Sequence, residues 1–156
     1  MIVMVSIPRQ KYRYIRSHLF KGHKEQGCFL FTDTHLGSGI INLYVKEVHC
    51  IKADNWSHQS DYHLELDDEE KVKVMLMAKK TGYDLIECHS HRFSGPAHFS
   101  HTDLVGLDEF VKYVWWKLPG RIYGAFVWTD DDLLGQVWLP KKHAPITVRE
   151  IRIINK

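Results

Sequence analysis

The stretch Asp84-Leu-Ile-Glu-Cys-His-Ser-His-Arg-Phe-Ser-Gly-Pro-Ala-His-Phe-Ser-His-Thr-Asp103 decides the reading of this chain. Its first part, Asp84 to His91, reads as a strand that runs directly into a loop. Its end opens the clearest helical stripe in the sequence. Leu104, Leu107, Phe110 with Val111, Val114 and Leu118 recur at helical spacing until Pro119-Gly120 stops them.

Upstream, Met1-Ile-Val-Met-Val reads as a first strand. It lacks the basic n-region and small-residue cleavage site of a signal peptide. Ser6-Ile7-Pro8 reads as a helix start, and Tyr12, Ile15 and Leu19 form one apolar stripe that fades near Gly22. Gly27 to Thr32 is a short buried strand. A turn over Thr34 to Gly39 follows, and then Ile40 to Ile51, too rich in β-branched residues for a good helix. Residues 52–62 are polar and irregular, and a short strand is expected over Tyr62 to Leu66. Asp67-x-x-Glu70 resembles a capping box and opens a helix through Lys80 that ends at Thr81-Gly82. Downstream, strands are expected over Arg121–Thr129, Leu133–Leu139 and Ile146–Ile154, with Asp130-Asp-Asp132 as a hairpin turn between the first two. This order of elements predicts an α+β or α/β fold: one domain over residues 1–156, built on a single sheet.

Composition narrows the function classes. The 156 residues carry 21 Lys and Arg against 19 Asp and Glu. With no long basic block, a phosphate-backbone binder has no electrostatic support, so no nucleic-acid partner is expected. No apolar run approaches the roughly 18 residues of a membrane span, so no membrane partner is expected either. Cys28, Cys50 and Cys88 are widely spaced and odd in number, which suggests a reducing, cytoplasmic setting. Histidine is abundant, at 11 residues, and invites a metal or acid–base reading.

His89 and His91 stand two apart at a strand end, so alternation points both imidazoles to one side, where they can reach one ion. A catalytic zinc takes three protein ligands and keeps one position open. Asp103, in the first turn of the strongest helix, is the best third ligand, because a carboxylate is favoured there by the dipole. His98 and His101 compete for the place. Glu87 shares the histidines' face and is a rival ligand or a partner to one. Cys88 points the other way, into the core. Ser100-x-x-Asp103 also fits a plain helix N-cap, but a cap leaves the paired histidines unexplained.

His89-Ser90-His91 followed by Ser100-x-x-Asp103 resembles the signature of the JAMM (MPN-plus, or JAB) zinc metallopeptidases. That pattern also has a glutamate upstream, after a first amphipathic helix and just before a short apolar strand. Glu25 stands there, ahead of Gly27-Cys-Phe-Leu-Phe31. The resemblance covers roughly residues 8 to 140 and is strongest to the compact prokaryotic branch. It departs from the family in three places. Eight residues rather than seven separate His91 from Ser100, Arg92 stands where proline commonly follows the second histidine, and Glu87 replaces an aromatic.

The resemblance implies a single MPN/JAB-like domain, a mostly antiparallel or mixed sheet flanked by about three helices. It implies Zn2+ held by His89, His91 and Asp103, with Glu25 moving the proton and Ser100 donating to the oxyanion. The implied activity is a zinc metallopeptidase that cleaves the bond after a ubiquitin-like protein, in deconjugation or precursor processing. The implied partners are that ubiquitin-like protein or its conjugates, and ubiquitin-activating-like or conjugating-like enzymes. The rival readings are a non-catalytic MPN-type scaffold and a cysteine hydrolase built on Cys88, whose adjacent His89 would face the wrong way. In the main helix Trp115 and Trp116 cannot both face the core, since neighbours lie about 100° apart.

Overall fold

The computed structural model describes residues 1–60 and 63–155. In chain order the elements are β1 (Ile2–Pro8), α1 (Arg9–Leu19), β2 (Gly27–Gly37), β3 (Ile40–Cys50), a 3-10 turn (Ala53–Asn55), β4 (Trp56–Gln59), β5 (Leu64–Leu66), α2 (Asp68–Thr81), β6 (Asp84–Ser90), α3 (His101–Lys117), β7 (Tyr123–Trp128), β8 (Leu133–Trp138), β9 (Ile146–Thr147) and β10 (Glu150–Ile154). The architecture is mixed α+β. One eight-stranded sheet runs β10-β1-β3-β2-β6-β7-β8-β9, and β4 and β5 form a separate hairpin. Neighbours are parallel at β10–β1, β1–β3 and β6–β7, and antiparallel elsewhere in the sheet.

Alternation along the central strands divides the core in two. On β2, Cys28 and Leu30 face α1, while Phe29 and Phe31 face α2 and α3; on β6, Ile86 and Cys88 join the first cluster and Leu85 the second. The α1 stripe buries Ile15 and Leu19 completely. Each such side chain stabilises the fold by about 1.5–3 kcal/mol relative to an exposed one. On the other side Val74, Met75 and Ala78 of α2 and Leu107, Val111 and Val114 of α3 belong to one core cluster.

The sheet curls until its edges meet. β9 pairs with β8 at one edge, and β10 pairs with β1 at the other. Between them Val148 N–H donates to the Gly135 carbonyl and Arg149 N–H to the Val3 carbonyl. A single strand expected over Ile146–Ile154 is therefore two short strands on opposite edges, because the chain must cross this seam.

Other elements also depart from expectation. The first helix begins at Arg9 and not at Ser6, since Ser6 pairs with Tyr44 and Arg152 inside the sheet. The strand from Gly27 runs on to Gly37, through the expected turn, because β3 pairs with it throughout. Of the stretch expected to be irregular, Ala53–Asn55 form a 3-10 turn and Trp56–Gln59 form β4. The expected strand at 62–66 is observed as Leu64–Leu66, and its Tyr62 end lies outside the described residues. Asp67 caps α2 without a side-chain hydrogen bond. Glu70 turns inward instead, its Oε1 2.6 Å from His49 Nε2. Leu104 is 47% exposed and lies off the buried stripe of α3. Of the tryptophan pair, Trp115 packs on the core and Trp116 is 72% exposed. Among the described residues no helix is long and apolar enough to cross a membrane.

Candidate metal centre

The site lies where β6 ends and α3 begins. Ser90, between the two histidines, is fully buried and tied to the chain before β2. Its N–H donates to the Gln26 carbonyl at 3.1 Å, and Gln26 N–H donates to its hydroxyl at 3.1 Å. His91 N–H then donates to the Trp128 carbonyl on β7 at 2.8 Å. These bonds set His89 and His91 on one face, beside the segment that carries Glu25. Glu25 is itself fixed through its backbone: its N–H reaches the Ser60 carbonyl at 2.9 Å, and its carbonyl accepts from the Gln59 amide at 2.9 Å.

α3 delivers the third group by its cap. Asp103 N–H donates to Ser100 Oγ at 3.0 Å, and Ser100 N–H donates to Asp103 Oδ2 at 2.8 Å, a complete capping box. The box holds Oδ2 3.2 Å from His89 Nε2 and 3.1 Å from His91 Nε2, and the two imidazole nitrogens are 3.2 Å apart. Three lone-pair atoms thus form a nearly equilateral triangle. Tetrahedral zinc with bonds of about 2.0–2.1 Å separates its ligands by roughly 3.3–3.4 Å, so these residues fit the ion. Glu25 approaches the same point, with ligand atoms of Glu25, His89 and His91 all within 4.8 Å of one another.

Electrostatics distinguishes the two carboxylates. Burial pushes Glu25 up to about 7, against the opposing pull of His89 and His91. Burial also acts on Asp103, but His89 and His91, with the Ser100 N–H, outweigh it and hold the carboxyl well below the usual range. His89 is depressed by burial and raised more strongly by Asp103 and the neighbouring glutamates.

The loop between His91 and Ser100 is held from the β7–β8 turn. Gly95 N–H donates to Asp131 Oδ1 at 2.8 Å, Ala97 N–H to Asp132 Oδ2 at 2.6 Å, and Thr129 Oγ1 to the Gly95 carbonyl at 2.8 Å. This anchoring brings the Phe93 and His98 rings to 5.8 and 6.0 Å from the His91 ring. No short-range motif announces it, since the Asp130–Asp132 run reads only as a turn.

Of the rival residues, His98 meets the His91 ring edge-on, and His101 is exposed at the first position of α3. Glu87 accepts a 2.6 Å hydrogen bond from Tyr123 and stands on the histidines' side of β6. Cys88 is 3% exposed in the α1-side core, facing Cys28 across the strand pair, so it offers no accessible thiol.

A groove of about 860 Å³ opens from His89 and Asp103. Its other walls include Trp56 and Leu66 of the β4–β5 hairpin and Phe110 and the exposed Trp116 of α3. The sequence pattern leaves this groove unseen, because its walls come from segments far apart in the chain. No family model matches the chain, and no curated protein matches it.

Proposed function

We propose that this protein is a zinc-dependent peptidase or isopeptidase that cleaves the bond after a ubiquitin-like protein. The observation that carries this reading is the convergence of His89, His91 and Asp103 on one point at the mouth of a groove, with Glu25 beside them. The resemblance of these five residues, Ser100 included, to the JAMM signature supplies the class of bond and substrate.

His89, His91 and Asp103 would hold the zinc, which when bound would supply Lewis acidity to a water and to the scissile carbonyl. Glu25 takes a proton from the attacking water at a carboxylate oxygen and returns it to the leaving amine. Burial favours the protonated form of this carboxyl, which suits a group that holds a proton between the two steps. Ser100 Oγ already accepts from Asp103 N–H, and its own hydroxyl hydrogen is left to donate to the developing oxyanion. The groove holds the substrate's C-terminal tail extended, with its last carbonyl at the His89 end.

Elemental analysis of the purified chain, paired with cleavage of ubiquitin-like fusion proteins, tests the reading. Near one zinc per chain is expected, lost in the His89→Ala/His91→Ala double variant, with cleavage that a chelator stops. Glu25→Ala is expected to keep the metal and lose turnover. Absence of zinc after reconstitution would sink the peptidase reading, and zinc without cleavage of any fusion would favour the scaffold.

A further inference from the structure

The floor of the groove holds a carboxylate that this mechanism does not use. Glu87 lies two residues before His89 on β6, so its side chain shares that face and sits about 6.8 Å behind the first histidine. The Tyr123 hydroxyl donates to Oε1 at 2.6 Å. Beyond the charges of His89 and Asp103, which also act on it, the side chains around it are apolar. Phe29 is directly across on β2, Ala125 directly across on β7, and the Phe110 ring lies 6.5 Å from Phe29 and 5.7 Å from Tyr123. A carboxylate among such side chains has lost most of its hydration, and a cation arriving along the groove restores a favourable partner.

Charges further along the groove are mostly of the same sign. Glu65, Asp67, Asp68 and Glu109 line it with Glu87. The lining lysines are already engaged: Lys71 lies 3.5 Å from Asp68, and Lys117 lies over the Trp116 ring at 4.1 Å. The groove as a whole therefore attracts a basic segment. Register then selects one residue. An extended peptide rises about 3.3 Å per residue and alternates its faces, so the residue bearing the scissile carbonyl and the one two before it point the same way. With the carbonyl at His89, that second side chain falls at Glu87.

We infer that Glu87 is a specificity-determining residue, which takes the lysine or arginine side chain two residues before the cleaved position of an extended peptide. The inference rests on the peptidase reading for the register of that peptide. Its test uses three labelled peptides identical except for Arg, Gln or Glu at that position. Each is made once with a cleavable C-terminal amide and once with a reduced, uncleavable bond.

Anisotropy titration of the uncleavable set on the zinc-loaded chain is expected to show the Arg peptide binding at least tenfold more tightly than the Gln peptide, and the Glu peptide more weakly still. Glu87→Gln, which keeps the shape and a partner for Tyr123, is expected to cut the Arg preference below threefold. Tyr123→Phe, which keeps the Glu87 carboxyl itself, is expected to retain a preference for Arg over Gln. Equal binding of the three peptides, or an unchanged preference in Glu87→Gln, overturns the inference. Cleavage of the second set decides the peptidase reading separately: a charge preference in binding with no peptide cut leaves Glu87 as a cation-selecting residue and removes the hydrolase.

Discussion

Ser100 serves two purposes through one oxygen. As N-cap its Oγ accepts from Asp103 N–H, and in the proposed mechanism the same hydroxyl donates to the oxyanion. Ser100→Ala separates them. Loss of the cap costs about 1 kcal/mol of stability, measurable by urea unfolding. Loss of an oxyanion donor costs roughly a hundred- to thousandfold in kcat. Zinc content is expected to stay near that of the unaltered protein, since Ser100 N–H still orients Asp103 Oδ2. A variant that loses stability but turns over normally would leave Ser100 a cap alone.

Asp84 offers a second residue-level test, away from the proposed metal site. Burial raises its carboxyl, partly offset by the Thr34 hydroxyl, the Ile122 N–H and Arg121. A carboxyl raised on folding contributes stability that is fully present below its unfolded value and lost as pH rises through the folded one. The stability difference between the unaltered protein and Asp84→Asn should therefore favour the former most in acid and shrink as pH rises above the carboxylate range. A constant difference between pH 4 and pH 7 would contradict this account.

At the scale of elements, β7 and β8 are joined by a contact that admits no side chain. A Cβ on Gly135 would meet ring carbons of Phe126 at 2.3 and 2.6 Å, and Phe126 is fully buried in the α1-side core. Gly135→Ala must push that ring or open the strand pair. It is expected to lower the unfolding free energy by about 1–3 kcal/mol. Thermal unfolding within a degree of the unaltered protein would mean that the core yields there.

The longest periodic stretches were legible before folding was considered. His101–Lys117 carries its stripe, its Ser100 cap and its stop in consecutive residues, so local chemistry sufficed. The β4–β5 hairpin was not legible as a whole. β4, Trp56-Ser-His-Gln59, has no apolar alternation, and pairing with β5 alone makes it a strand. The start of α1 departs from its local signal for a related reason, since Ser6 has the chemistry of a cap but is held in the sheet by strands on both sides.

For the molecule as a whole, a metal ion at the proposed centre would tie the sheet to α3, because His89 and His91 come from the end of β6 and Asp103 from the helix. A ligand that binds only the folded chain stabilises it by about 2.7 kcal/mol at a hundredfold excess over its Kd. For a chain of this size that corresponds to a rise in Tm of roughly 5–10 °C. Calorimetry with and without a chelator is expected to show that difference in the unaltered protein and none in His89→Ala/His91→Ala. An unchanged Tm with zinc demonstrably bound would mean that sheet and helix are already fixed without it.

The sequence by itself determined the mixed α+β class, the strand–loop–helix unit, the common side of His89 and His91, and the inward direction of Cys88. Each follows from a local period or from a cap and stop within a few residues. Tertiary structure decided that the sheet curls until Val148 and Arg149 bridge its two edges, and that Asp131 and Asp132 hold the loop after His91. It also decided that Glu70 turns to His49 rather than to its own cap, and that Glu87 lies at the floor of a groove. These are contacts between residues distant in sequence, and no period or short motif records which segments become neighbours when the chain closes on itself.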